Sequence, residues 1–144
     1  MKSNTINSLI TLFKRLEKYS LNFSNFNLNN LQKYILKYIV LLSDKKDICQ
    51  KEIENHFSLS KSTVSEILKS FEKDELITRV SSDKDQRIKI IKMTEKSIKI
   101  REEILKNIAK IENMLVADIS VKEIDIFNNT LLKMNENLKK GENE

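Results

Sequence analysis

Ile6, Leu9, Phe13 and Leu16 recur at intervals of three and four, the spacing that lines one face of a helix, and predict a helix over 5–21. The Asn- and Ser-rich stretch 22–27 interrupts it, because short polar side chains compete for backbone hydrogen bonds. Asn29 then stands where a cap belongs, ahead of a second helix whose inward positions are Leu31, Ile35, Tyr38 and Leu42. A polar loop over 43–47 leads to a short helix over 50–57 that buries Ile53 and Phe57. Ser58-Leu59 turns the chain, and Ser60 caps a helix over 61–73 with an apolar face of Val64, Ile67, Leu68 and Phe71.

The period then changes. Residues 76–81 alternate in polarity, as do most of 87–93, and the polar residues 82–85 between them suit a hairpin turn. Two strands do not stand alone, so the hairpin must pack on the preceding helices. Thr94 caps a long helix carrying Ile98, Ile104 or Leu105, Ile108, Ile111 and Leu115. Ser120 and Glu123 match the Ser-x-x-Glu capping box of a last helix, on which Ile124, Phe127, Leu131, Met134 and Leu138 step by three and four. So narrow a seam is of the kind that joins helices.

The terminal helices flank a three-helix-plus-hairpin unit and have little core of their own to cover. They read as a bundle shared by two copies of the chain, with a monomeric cap as the alternative. On this reading Ile6, Leu9, Phe13 and Leu16, with Ile124, Phe127, Leu131, Met134 and Leu138, are dimerisation residues. The predicted fold is mainly α: a winged helix-turn-helix with a two-stranded β-hairpin wing and N- and C-terminal dimerisation helices. It is one domain over 1–144, with 28–93 the winged helix-turn-helix and 1–27 and 94–144 the helical dimerisation region.

Composition removes most other classes. Among 144 residues there is no proline and one glycine, Gly141, so no glycine-dependent phosphate loop can form. One cysteine, Cys49, and one histidine, His56, exclude an intrachain disulfide, a Cys-based zinc cluster and a His-rich catalytic group. No nucleophile–base pair or cofactor motif is present, so an enzyme is not expected, nor a metal or cofactor. The longest purely apolar run, 39–42, is far short of the roughly 20 residues a spanning helix needs, which predicts a soluble, cytoplasmic chain with no membrane partner. The formal net charge is +5, and the excess lies in 1–43, where six basic residues face one acidic; 44–92 carries eleven and ten, 93–144 nine and ten. A basic balance agrees with nucleic-acid binding but is weak support for it.

The helix after Ser60 says more. Lys61, Ser62, Thr63, Ser65 and Glu66 stand away from its apolar face, with Lys69 one turn on. Small hydroxyl side chains let a helix approach the floor of the DNA major groove and can bond base edges and phosphates. A Ser-rich turn can equally be a plain surface cap, but the hairpin that follows, with Arg and Lys near its tip, favours the DNA reading.

The run Ser60-Lys61-Ser62-Thr63-Val64-Ser65-Glu66-Ile67-Leu68, then Leu76-Ile77-Thr78-Arg79, Asp83-Lys84-Asp85-Gln86-Arg87 and Met93-Thr94-Glu95-Lys96, resembles the MarR family of transcriptional regulators. Leu28–Gln32 and Gln50–Ile53 resemble that family's second and third helix openings. The resemblance covers about 25–100, and Asp85 with Arg87 is its most specific element. It implies a homodimer on a pseudo-palindromic operator in double-stranded DNA, most simply a ligand-responsive repressor. Recognition helices would enter successive major grooves, and wings the flanking minor grooves. Arg87 would then be a minor-groove or phosphate ligand, Asp85 would orient the wing by pairing with a basic side chain, and Arg79 and Lys84 would contact the backbone. The alternative is a winged-helix protein-interaction module that has lost DNA binding, which the near-neutral 44–92 supports.

Two departures from the family pattern carry expectations. Glycine is usual where Glu75 and Ser97 stand. A left-handed Glu75 would cost about 1 kcal/mol, so the recognition helix is expected to end differently. Glu66, if it faces the groove, should accept from cytosine and repel phosphates. The family's small-molecule effectors lie between the dimer helices and the winged domain, where Tyr19, Phe23, Phe26, Tyr34 and Tyr38 could line a crevice; core packing is the alternative for all five. Cys49 reads as a buried structural thiol rather than a sensor, and His56 as packed or surface-bound.

Overall fold

In chain order the elements are α1 (Thr5–Ser20), α2 (Asn30–Leu42), β1 (Ile48–Cys49), α3 (Gln50–Phe57), α4 (Lys61–Lys73), β2 (Ile77–Ser81), β3 (Lys89–Met93), α5 (Glu95–Leu115) and α6 (Val121–Glu142). The computed structural model describes residues 4–23 and 27–143, so Phe26 lies outside the described residues. The chain forms two units, one up to Ile108 and one from Ala109 onward.

The core of the first unit is built around α2. Asn29 caps this helix reciprocally with Gln32, two bonds of 2.9 Å each. The expected inward row was Leu31, Ile35, Tyr38 and Leu42; the buried row is Ile35, Leu36, Ile39 and Val40, with Leu31, Tyr38 and Leu42 at its edges. A helix wrapped on more than one side buries a wider arc than a single stripe, and α2 is such a helix. The same buried cluster takes in Ile53 of α3, Val64, Leu68 and Phe71 of α4, Ile48 and Ile91 of the sheet, and Ile100 and Ile104 of α5. Fully burying such a side chain contributes about 1.5–3 kcal/mol before conformational entropy is subtracted.

The wing has a third strand. β2 and β3 pair antiparallel, with Arg79 opposite Ile91 and Ser81 opposite Lys89. The two-residue β1 adds to the other edge of β3, Ile48 opposite Ile91 and Cys49 opposite Ile90, giving the order β1-β3-β2.

Helix α4 ends in the left-handed turn that Glu75 was expected to avoid: its φ is 58°. Leu76 N donates to Phe71 O at 2.8 Å and Glu75 N to Glu72 O at 3.0 Å, the paired bonds of a Schellman ending. Phe71 and Leu76 are both fully buried beside it, and Thr94 Oγ1 donates to Glu75 O at 2.7 Å. These contacts offset the backbone cost of roughly 1 kcal/mol for a non-glycine residue there. Ser97, the other departure, is fully buried; its Oγ accepts from Thr94 N at 2.8 Å while Thr94 Oγ1 accepts from Ser97 N at 3.2 Å.

On α5 the buried positions are Ser97, Ile100 and Ile104, continued by the partly buried Ile108. Of the alternatives Ile104 and Leu105 it is Ile104 that is buried, while Ile98, Leu105 and Leu115 are each more than two-fifths exposed. The small Ser97 lets the row begin one position earlier than apolar residues alone suggested.

Two helices keep their apolar faces uncovered. α1 has no buried residue, with Ile6 73% and Phe13 58% exposed and Leu9 and Leu16 half-buried. In the second unit, Ser120 and Glu123 form the expected capping box at the start of α6. No residue of α6 is buried: Ile124, Leu131 and Met134 are half-buried, Phe127 and Leu138 exposed. No helix among the described residues is long and apolar enough to cross a membrane.

Candidate nucleic-acid interface

The helix-turn-helix is made by one left-handed residue and one cap. Ser58, with φ 52° and ψ 48°, ends α3, and Leu59 N donates to Glu54 O at 3.0 Å. Ser60 Oγ accepts from Thr63 N at 3.2 Å and starts α4. The same oxygen lies 2.8 Å from Thr63 Oγ1 and 3.2 Å from Ser62 Oγ, so three hydroxyls cluster on the first turn. Val64, Ile67, Leu68 and Phe71 are buried as expected, which turns Lys61, Ser62, Glu66 and Lys69 outward; Thr63 and Ser65 are half-buried at the margin. Lys61, Glu66 and Lys69 make no side-chain ion pair or hydrogen bond among the described residues.

The wing tip is organised by Asp85. Its Oδ1 accepts from Arg87 N at 3.0 Å and from Arg87 Nε at 3.1 Å, and its Oδ2 from Arg87 Nη2 at 3.0 Å. This two-pronged bond aims a side chain that is 90% exposed. Arg87's side chain, and then its backbone N–H, hold the Asp85 carboxyl below the ordinary carboxylate range, and Asp85 in turn raises the guanidinium. Lys84 stands exposed beside them, its N–H on Ser82 Oγ at 3.3 Å.

Between helix pair and wing runs an open groove of about 540 Å3. Lys51, Lys61, Arg79, Arg87 and Lys89 line it against a single carboxylate, Glu54. A concave surface with such an excess of cations concentrates a polyanion. Glu54 is nearly buried, and Lys51 Nζ lies 3.5 Å from it. Cys49 is a half-buried free thiol in the groove wall, closer to the surface than expected.

Arg79, grouped by sequence with the backbone contacts, turns inward. It ion-pairs with Glu72 and donates from Nη1 to Gln50 Oε1 at 3.5 Å. Gln50 also donates from Nε2 to Lys61 O at 3.3 Å. Nothing in the sequence singled out Gln50, the first residue of a short helix.

The aromatic set is dispersed. Phe23 is packed in the core and Tyr19 is half exposed. Tyr34 and Tyr38 share one face of α2. Tyr34 OH donates to Glu17 Oε1 at 2.8 Å; burial first, then that bond and the carboxylate's charge, push its pKa up to about 12. Tyr38 OH donates to Glu52 Oε1 at 2.8 Å, and Lys46 ion-pairs with the same carboxylate. The exposed His56 lays its ring 4.3 Å from that of Tyr38.

Comparison with known proteins agrees with this geometry. The MarR family model matches residues 36–89, from within α2 to the first residue of β3. The HTH-type transcriptional regulator MgrA of Staphylococcus aureus is 29% identical over 136 residues, 93% of this chain and 89% of that protein. Among solved structures, the S. aureus MepR–DNA complex superposes with a TM-score of 0.73 at 24% identity, covering 94% of this chain and 96% of that one. A MarR-family regulator from Listeria monocytogenes, solved with a 26mer DNA, gives 0.75 at 21% identity, covering 98% and 92%.

Proposed function

We propose that the chain is a winged helix-turn-helix transcriptional regulator of the MarR family, whose model matches residues 36–89, and that it acts as a homodimer on a pseudo-palindromic operator. α4 reads the major groove, and the wing grips the flanking backbone. Lys61, Ser62, Ser65, Glu66 and Lys69 face base edges and phosphates; Ser60 and Thr63 hold the start of α4. Arg87, with Lys84, meets the minor-groove edge, and Asp85 aims Arg87. The single observation behind this reading is that Lys61, Glu66 and Lys69 of α4 make no side-chain bond among the described residues, next to a cationic groove lined by the braced, outward Arg87. The uncovered faces of α1 and α6 support the dimer, because apolar patches of this kind mark contact surfaces.

Two reading heads must sit about 34–36 Å apart to bind one face of DNA. A shift of a few ångströms therefore weakens binding, which is how a small-molecule effector would release a repressor. Selection of bound sequences from random duplexes by the full chain tests the proposal. The expected product is a palindrome with half-sites one helical turn apart. Enrichment of no sequence would leave the protein-interaction module as the better reading.

A further inference from the structure

We propose that Arg79 and Glu72 form a positioning pair that sets the angle between wing and α4, so that Arg79 governs DNA affinity without touching a phosphate. The inference rests on the DNA-binding reading above. Side chains on a strand alternate, and Arg79 falls on the same face of β2 as the buried Ile77. That register carries the guanidinium toward the helices. There it meets Glu72 near the end of α4 and Gln50 at the start of α3, while Gln50 holds the carbonyl of Lys61 at the start of α4. One side chain thus ties β2 to both helices of the helix-turn-helix.

The two arginines of the groove differ sharply in access. The Arg79 side chain is 21% exposed, that of Arg87 90%. To reach a phosphate Arg79 would have to leave Glu72 and turn out from the helix side of the sheet, whereas the Arg87 guanidinium meets solvent while still held by Asp85. Binding should therefore draw its salt dependence from Arg87 and the lysines.

The sign of one substitution separates positioning from contact. Glu72→Gln removes an acid from the neighbourhood of DNA, which on charge alone would tighten binding. If the pair positions the wing, it must weaken binding instead. The experiment titrates a duplex, selected by the full-length wild type, with wild type, Arg79→Gln, Glu72→Gln, the double variant and Arg87→Ala over a range of salt. The assay temperature is one at which circular dichroism shows every variant folded, so affinity reports geometry rather than unfolding.

Arg79→Gln is expected to weaken binding about ten-fold with the salt slope unchanged, whereas Arg87→Ala lowers the slope by about one. Glu72→Gln should weaken binding to a similar degree, and the double variant no further than Arg79→Gln alone. A slope lowered by about one in Arg79→Gln, tighter binding by Glu72→Gln, or unchanged affinity in either overturns the assignment while leaving the regulator reading intact. A wild type that enriches no duplex overturns both.

Discussion

α4 and α6 carry apolar residues at the same threes and fours, yet their fates are opposite. Val64, Ile67, Leu68 and Phe71 of α4 are at most 8% exposed, whereas no residue of α6 is buried. Periodicity therefore determines which face of a helix is apolar and leaves open what covers it. For α4 the cover is supplied by other elements of the same unit. The apolar residues of α6 and α1 keep no such cover among the described residues, and on the proposed reading a second copy supplies it.

The largest effect that can sharpen this contrast is expected in α4. Phe71→Ala removes the largest fully buried side chain and should cost about 3–5 kcal/mol in denaturant unfolding. A loss below about 1 kcal/mol would mean that the core is not assembled around it. Leu131→Ala on α6 should cost less, about 2 kcal/mol, because Leu131 is only half-buried in one chain. Its signature is concentration dependence: sedimentation shifts toward monomer, and the melting temperature falls most in dilute protein. An equal loss at all concentrations would place the cover of α6 within its own chain.

The smallest effect concerns acid stability. The bond from Lys46, then that from Tyr38, keep the Glu52 carboxyl below the ordinary carboxylate range, although burial works against them. The unfolded chain takes up this proton first as pH falls. The contribution of the network is thus complete above the ordinary carboxylate range and is lost as pH drops through the lower folded value. Denaturant midpoints measured against pH should fall there, and Glu52→Gln should flatten that segment. A wild-type curve already flat would mean that the network adds nothing.

Most of the head was legible because local chemistry and global packing agree there. Asn29, Ser60 and Ser120 each stand where a cap is needed, and each caps. The failures have particular causes. β1 is two residues long, too short to show alternation, and exists only because β3 offers an edge beside it. The buried arc of α2 and the shifted row of α5 depend on neighbours that no local window contains. Glu75 was read from intrinsic backbone preference, and the burial of Phe71 and Leu76 beside it outweighed that preference. At the candidate interface, the exposure of Lys61, Ser62, Glu66 and Lys69 followed from the apolar period of α4, but the inward turn of Arg79 was not legible, since only the register of β2 reveals it.

The short strand β1 also has a mechanical consequence. Ile48 and Cys49 connect directly into α3 while their backbone is paired to the inner strand of the wing. Along that seam the inner strand of the wing is tied to the start of α3, which leaves the angle between β2 and α4 to the Arg79 contacts. On the proposed reading, an effector that displaced α3 would therefore carry the inner strand of the wing with it.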